Sequence, residues 1–199
     1  MSWDDEAREI AARRRAAKAQ GGPAAIARQH EKGRLTIRER VARLADDGSF
    51  QELGEGAGAP DFDETGSRTG FSPANFVLGF AKVNGRRVIV GGEDFTLKGG
   101  SPNPAGLRKS VYAEEAALHY RVPLVRLHEG GGGSVAGSGG GRTNARPLGE
   151  PVFATPRFVS LAKTLGTVPV ASAALGPVAG MPAARLVSSH FSVMAKNAQ

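Results

Sequence analysis

The sequence predicts an α/β fold built on a parallel sheet, and three observations carry that expectation. From Phe76 onward, strand-length apolar runs alternate with helix-length segments, the pattern of parallel pairing with right-handed crossovers. One apolar run, Val168-Pro169-Val170-Ala171-Ser172-Ala173-Ala174, leads through a loop of small residues, Leu175-Gly176-Pro177-Val178-Ala179-Gly180-Met181-Pro182, into the helix start Ala183-Ala184-Arg185-Leu186-Val187. A second glycine-rich loop, 130–134, follows another strand directly. In parallel sheets the carboxyl ends of strands are where ligands bind.

The elements follow in order. Residues 3–20 are Ala-rich and charged, and Ile10 is one of few large apolar residues there. This reads as a helix with a thin apolar face that packs on a partner or on the next helix. Gly21-Gly22-Pro23 breaks it, and 24–30 makes a second helix. Thr36 opens a third, with Glu39 completing a capping box and Ile37, Val41 and Leu44 on one face. Asp46-Asp47-Gly48-Ser49 ends it, and Phe50-Gln51-Glu52-Leu53 alternates as a strand. Residues 54–70, rich in Gly, Asp and Pro, read as a mobile surface loop. Strands at 76–83 and 87–91 flank Asn84-Gly85, the strongest hairpin-turn pair. A polar link, 93–101, leads to a helix over 105–120, with Leu107, Val111, Ala116, Ala117 and Leu118 inward. Pro123-Leu124-Val125-Arg126-Leu127 is a strand ended by His128-Glu129. Residues 135–150 are too rich in Gly, Pro and small polar residues for regular structure. Thr155-Pro156 caps a helix to Leu165, with Phe158, Leu161, Ala162 and Leu165 in the core.

Composition narrows the function. The chain has 199 residues and a net charge of +7, with much of the basic excess in the first 43 residues. Aromatic interleaving is missing there and Asp4, Asp5, Glu6 and Glu9 dilute the charge, so a polyanionic small ligand or a partner subunit fits at least as well as nucleic acid. There is no cysteine, hence no disulfide framework and no thiolate metal site. Without an 18-residue apolar run or an apolar signal core, the chain reads as soluble and cytoplasmic. The segment after Phe191 starts like a strand with no closing element, so the chain looks cut short.

Several motifs fail on context. Gly54, Gly56 and Ala59 match a dinucleotide fingerprint by letter, but Pro60 and Asp61 follow where a helix should. Gly137 to Arg142-Thr143 is one residue short of a phosphate loop and has Arg for Lys. His30, His119, His128 and His190 show no metal-ligand spacing, so no metal is expected. Ser172, Ser188 and Ser189 sit in no nucleophile elbow. The His128-Glu129 pair reads as orienting the glycine loop ahead of it, with an acid/base role as the alternative. Asp94, Lys98 and Lys109 flank the Gly99-Gly100-Ser101 turn, either as a solvated loop or as a phosphate or adenine contact. What remains is the backbone: one N–H from each glycine loop converging on one oxygen forms an oxyanion hole without a reactive side chain. The bland alternative is two tight turns that merely need small residues.

From about Gly21 the chain resembles the N-terminal part of the carboxyltransferase (beta) subunit of biotin-dependent acyl-CoA carboxylases. The likeness rests on Lys32-Gly33-Arg34-Leu35-Thr36-Ile37-Arg38-Glu39-Arg40-Val41, the Asp47-Gly48-Ser49-Phe50-Gln51-Glu52-Leu53 stretch, and Gly79 with Asn84-Gly85-Arg86. It continues through Asp94-Phe95-Thr96, Gly99-Gly100-Ser101, Lys109, Pro123-Leu124-Val125, the Gly130 loop, and Gly176 with Ala179-Gly180. The resemblance implies a crotonase-like fold of repeated ββα units. It implies a helical segment over 1–47 and the acyl-CoA-binding domain over 48–199. It also implies a ligase or transferase function: a carboxyl group passes from carboxybiotin, held on a partner carrier, to the α or vinylogous γ carbon of an acyl-CoA. In that scheme backbone N–H groups of Gly131, Gly132, Ala179 and Gly180 hold the thioester oxygen as an enolate, each well-placed donor contributing roughly 3 kcal/mol. Asp94, Thr96, Gly99, Gly100, Ser101, Lys109 and Gly130 are the implied substrate-binding residues. Decarboxylated biotin accepts the proton, which accounts for the lack of a side-chain base, and ATP is used only by the biotin carboxylase (alpha) subunit.

This chain departs from the family pattern. Met181 stands where a second glycine follows Ala-Gly, Glu129 where Asp precedes the first loop, and Gly130-Gly131-Gly132-Gly133 where Gly-Ala-Gly-Ala is usual. The family's second half-domain, which holds biotin in another subunit of a homo-oligomer, is absent, so the chain alone is expected to be inactive. A biotin-linked acyl-CoA decarboxylase subunit and a non-catalytic CoA-binding or assembly domain are the alternatives.

Overall fold

The computed structural model describes residues 3–132 and 156–199. The expectations placed on Gly133, Ser134, the 135–150 stretch and Thr155 lie outside them.

Three helices come first: α1 (Asp4–Ala19), α2 (Pro23–Glu31) and α3 (Ile37–Leu44). The capping box that opens α3 forms in both directions. Glu39 N–H donates to Thr36 Oγ1, and Thr36 N–H donates to Glu39 Oε2 at 2.7 Å. Strand β1 (Gln51–Glu52) follows, then β2 (Gly58–Phe62) and β3 (Arg68–Pro73). The last two pair into a separate antiparallel ribbon, so residues 54–70, expected as a loop, are partly strand. The ribbon is exposed and poor in β-forming residues, and its ladder is made by the backbone. Helix α1 lies along it, with the Arg13 guanidinium 5.6 Å from the Phe71 ring centre.

β4 (Phe76–Val83) and β5 (Arg86–Glu93) form the expected hairpin, closed by Asn84 and Gly85 at φ 50° and 75°. That pair of positive φ values is what a two-residue turn between right-twisted strands requires. A single 3-10 turn (Lys98–Gly100) precedes α4 (Pro104–Tyr120), which crosses to β6 (Leu124–Gly130). Then come α5 (Arg157–Leu165), β7 (Val170–Val178), α6 (Met181–Val187) and β8 (Phe191–Met194). The main sheet runs β1-β4-β5-β6-β7-β8, antiparallel up to β5 and parallel from β5 to β8.

Side chains alternate across this sheet into two cores. Phe76, Leu78, Phe80, Ile89, Leu124 and Val170 pack on Ala113, Ala116 and Ala117 of α4. Val77, Ala81, Val88, Val90 and Leu127 pack on Ile37 and Val41 of α3. The sheet is therefore covered on both faces at its centre, as parallel strands require.

Two local expectations need correction. β7 runs past Ala174 to Val178, because Gly130 extends β6 through a bulge and pairs with Val178. The second bend therefore shrinks to Ala179 and Gly180. In α5, Phe158 is 66% exposed and Ala162 is exposed, while Ser160, Leu161 and Thr164 are buried. Thr164 turns inward with its hydroxyl satisfied, Oγ1 donating to the Ser160 carbonyl at 2.8 Å, whereas the buried Ser160 hydroxyl meets no partner among the described residues.

Candidate functional site

Three backbone bends meet at the carboxyl ends of β5, β6 and β7. The first holds residues 130–132, the second Ala179 and Gly180, and the third is the Lys98–Gly100 turn. Ala179 N–H donates to the Gly130 carbonyl at 2.9 Å, and Gly131 N–H donates to the Gly99 carbonyl at 3.0 Å. Ser101 Oγ donates to the Gly132 carbonyl at 2.9 Å. The approach is close enough to demand glycine. A Cβ on Gly132, whose φ is +74°, would lie 2.8 Å from the Ala179 carbonyl oxygen and 3.1 Å from Gly180 Cα. A Cβ on Gly100 would lie 2.6 Å from the Glu129 carbonyl oxygen.

These contacts sort the four nominated amides. Those of Gly131 and Ala179 are turned into carbonyls and hold the bends together. Those of Gly132 and Gly180 meet no acceptor among the described residues.

Buried carboxylates fix the bends from below. Glu129, 1% exposed, accepts from Gln29 Nε2 at 2.7 Å and from Arg34 Nη1 at 3.4 Å, and pairs with Arg40. Arg40 Nη2 also donates to the Leu175 carbonyl at 3.1 Å. Opposite, Glu93 faces His128 Nδ1 at 3.2 Å and accepts from Glu129 N–H at 3.3 Å. Burial pushes the Glu93 carboxyl up, but the His128 charge and hydrogen bond, aided by Arg185, hold it below its ordinary value. Behind them Glu114 accepts from Arg126 Nη2 and Arg185 Nε, both at 2.8 Å, tying β6 and α6 to α4. Burial lowers the Arg126 guanidinium to about 10 against the opposing pull of Glu114.

The implied substrate-binding residues divide. Gly99, Gly100, Ser101 and Gly130 border the bends. Asp94 and Thr96 tie the third bend to the helices: the Asp94 carboxylate accepts from Thr96 N–H at 3.0 Å, and Thr96 Oγ1 accepts from Gly21 N–H at 2.9 Å. Burial raises the Asp94 carboxyl, with the Thr96 hydrogen bonds opposing. Lys109 is engaged inside the protein, its Nζ 3.3 Å from the Gly54 carbonyl and 3.7 Å from Glu52 Oε1, and burial lowers its pKa. Next to the third bend lies a groove of about 260 Å³, whose lining includes Ser72, Asn75, Leu97, Lys98, Asn103 and Arg108.

None of Arg40, Gln29, Arg34 and Glu93 was expected as a site residue, although Arg34 and Arg40 lie in the 32–41 stretch that carries the resemblance. Arg40 carried a signal, since it falls on the inward stripe of α3 with Ile37, Val41 and Leu44, where an unpaired charge is costly. Gln29 and Glu93 carried none that spacing reveals.

Residues 28–199 match the family described as the carboxyl transferase domain. The chain is 33% identical over 176 residues to the propionyl-CoA carboxylase beta chain of Saccharopolyspora erythraea, covering 87% of this chain and 30% of that one. It is 28% identical over 184 residues to the methylmalonyl-CoA decarboxylase subunit alpha of Veillonella parvula, covering 90% of this chain and 34% of that one. In structure it is similar to transcarboxylase 12S with methylmalonyl-coenzyme A and methylmalonic acid bound, at a TM-score of 0.73 and 24% identity. That match covers 100% of this chain and 37% of the other. The chain thus spans about a third of the length of these curated relatives. Its α/β architecture with a mixed sheet is the crotonase-like one of the carboxyltransferases, and with residues 28–199 matched, the chain belongs to the carboxyl transferase domain family.

Proposed function

We propose that this chain binds an acyl-CoA thioester and stabilises its enolate through the main-chain N–H groups of Gly132 and Gly180. The carrying observation is that these two amides meet no acceptor among the described residues while Gly132 packs directly against the Ala179-Gly180 peptide. Gly131 and Ala179 serve as the braces that keep the donors apart at a fixed distance. Preorganised donors of this kind act where charge develops, which lowers the barrier to losing the α-proton. The groove beside the third bend, with Lys98 and Arg108 on its lining, offers cations to the phosphates of CoA. Gly99, Gly100, Ser101 and Gly130 shape the wall along which the acyl end lies.

When bound on a partner subunit, carboxybiotin would supply the carboxyl group, and the biotin left after its loss would accept the α-proton. The likeness to the Veillonella decarboxylase subunit supports a second reading, in which the same half-site serves removal of the carboxyl group.

Calorimetric titration with propionyl-CoA, and with its carbonyl-free thioether analogue, tests the proposal. Thioester should bind at least tenfold tighter than thioether, and a ¹³C-labelled thioester carbonyl should shift downfield on binding. Equal affinity for the two ligands would refute the backbone oxyanion hole. Coenzyme A binding with no shift of that carbonyl would leave only a CoA-binding or assembly role.

A further inference from the structure

The two bends leave neighbouring strands whose ladder reaches Gly130 and Val178 and continues in the Ala179 N–H bond to the Gly130 carbonyl, but it is interrupted by the bulge between His128 and Gly130, where Glu129 sits. Glu129, at the mouth of the first bend, and Leu175, on the strand leading to the second, are bridged by one side chain. Arg40 pairs with the Glu129 carboxylate, and its Nη2 donates to the Leu175 carbonyl at 3.1 Å. The Glu129 carboxyl also fills the space beside Gly176, where a Cβ would collide with it. Arg40 is 8% exposed and rides on α3, which Ile37 and Val41 seat in the sheet core. Gln29 and Arg34 hold the same carboxylate from α2 and the segment after it.

We propose that Arg40 is a positioning residue that sets the separation of the two glycine bends, and through them the alignment of the Gly132 and Gly180 donors. This deepens the oxyanion-hole reading and rests on it. Both contacts leave the same Nη2, whose two N–H bonds lie in the rigid guanidinium plane and so hold the carboxylate and the carbonyl at one angle. An ammonium on a flexible stem carries the same charge but does not impose that geometry. The charge is therefore separable from the spacing, and the experiment exploits this.

The test compares Arg40→Lys with wild type and with Arg38→Lys, a control on the same helix that touches Glu52 and the Ala17 carbonyl but neither bend. Each protein is titrated with propionyl-CoA, its thioether analogue and free CoA, and the bound ¹³C-carbonyl shift is recorded. Arg40→Lys should lose most of the thioester-over-thioether preference, by roughly tenfold or more, because small misplacement of donors is amplified in binding of developing charge. Its affinity for free CoA should stay within about twofold of wild type, and the carbonyl shift should fall back toward its solution value. Arg38→Lys should retain the wild-type preference. A folded Arg40→Lys protein with the wild-type preference and carbonyl shift would overturn the assignment. Should Arg40→Lys not fold, Arg40→Gln, which leaves Glu129 paired with Arg34 and Gln29, takes its place with the same expected loss. If neither folds, Arg40 is a structural residue only, and the proposal is wrong. If wild type itself shows no thioester preference, the oxyanion-hole reading fails first; if wild type shows it and Arg40→Lys keeps it, the positioning role alone fails.

Discussion

Glu93 illustrates how a buried acid is kept charged. Burial favours its neutral form, yet His128 at 3.2 Å and the Arg185 charge outweigh that and set the carboxyl below 4.5. A folded-state value below the unfolded one means that folding favours the ionised form. The resulting stability is present above about pH 4.5 and disappears as pH falls through the lower, folded value. Glu93→Gln should therefore melt at lower temperature than wild type at pH 7, with the gap closing below about pH 4.5. Thermal melts followed by circular dichroism across pH 3.5 to 7.5, at about unit intervals, check this, and a gap independent of pH would refute it. Neither the Glu93 pairing nor the Glu129 cluster can be read from spacing. Glu93 and His128 are 35 residues apart and Gln29 and Glu129 are 100 apart. Only the fold brings them together. The glycines were legible because a residue without a Cβ is required wherever two backbones touch, as Gly132 does at Ala179.

At the scale of elements, local chemistry predicted well where the chain itself supplies the partner. The Thr36–Glu39 capping box and the Asn84-Gly85 turn each satisfy their own backbone within four residues, so both were readable. The β2–β3 ribbon was not, because Gly58, Pro60 and Asp61 are poor strand formers and the pairing is imposed by register. The inward face of α5 was misread for a related reason: Ser160 and Thr164 look polar in sequence, yet their hydroxyls are buried. The capping box has a consequence for the site, since α3 carries Arg40. Thr36→Ala should destabilise the fold by about 1 kcal/mol, measured by urea denaturation. Because α3 stays anchored by Ile37 and Val41, the loss should appear in stability with little change in thioester affinity.

For the molecule as a whole, charge is organised more than it is displayed. Much of the basic N-terminal segment is matched internally: Arg14 and Lys18 face Glu55, Arg38 pairs with Glu52, and Arg34 and Arg40 meet Glu129. The count of basic residues there therefore overstates the unpaired cations, although the net charge of +7 is unchanged by such pairing, which is why composition alone pointed to several partner classes at once. The deepest of these clusters, Glu114 with Arg126 and Arg185, joins α4, β6 and α6. Removing only the carboxylate, as in Glu114→Leu, leaves two buried cations without their hydrogen-bonded counter-charge and with only Glu93 nearby, and should cost about 3–5 kcal/mol. The triple change Glu114→Leu/Arg126→Met/Arg185→Met should recover most of that loss, since apolar replacements of similar volume avoid the desolvation penalty altogether. Guanidinium denaturation of the two variants provides the comparison.

β8 carries a practical consequence. Phe191, Val193 and Met194 are 64%, 44% and 58% exposed on the last strand of the main sheet. No lysine, proline or bulge guards that margin within Phe191–Met194. A margin left open among the described residues can recruit foreign strands and drive self-association of this chain. A lysine in place of Val193 should accordingly keep concentrated samples dispersed in light scattering without disturbing the glycine bends.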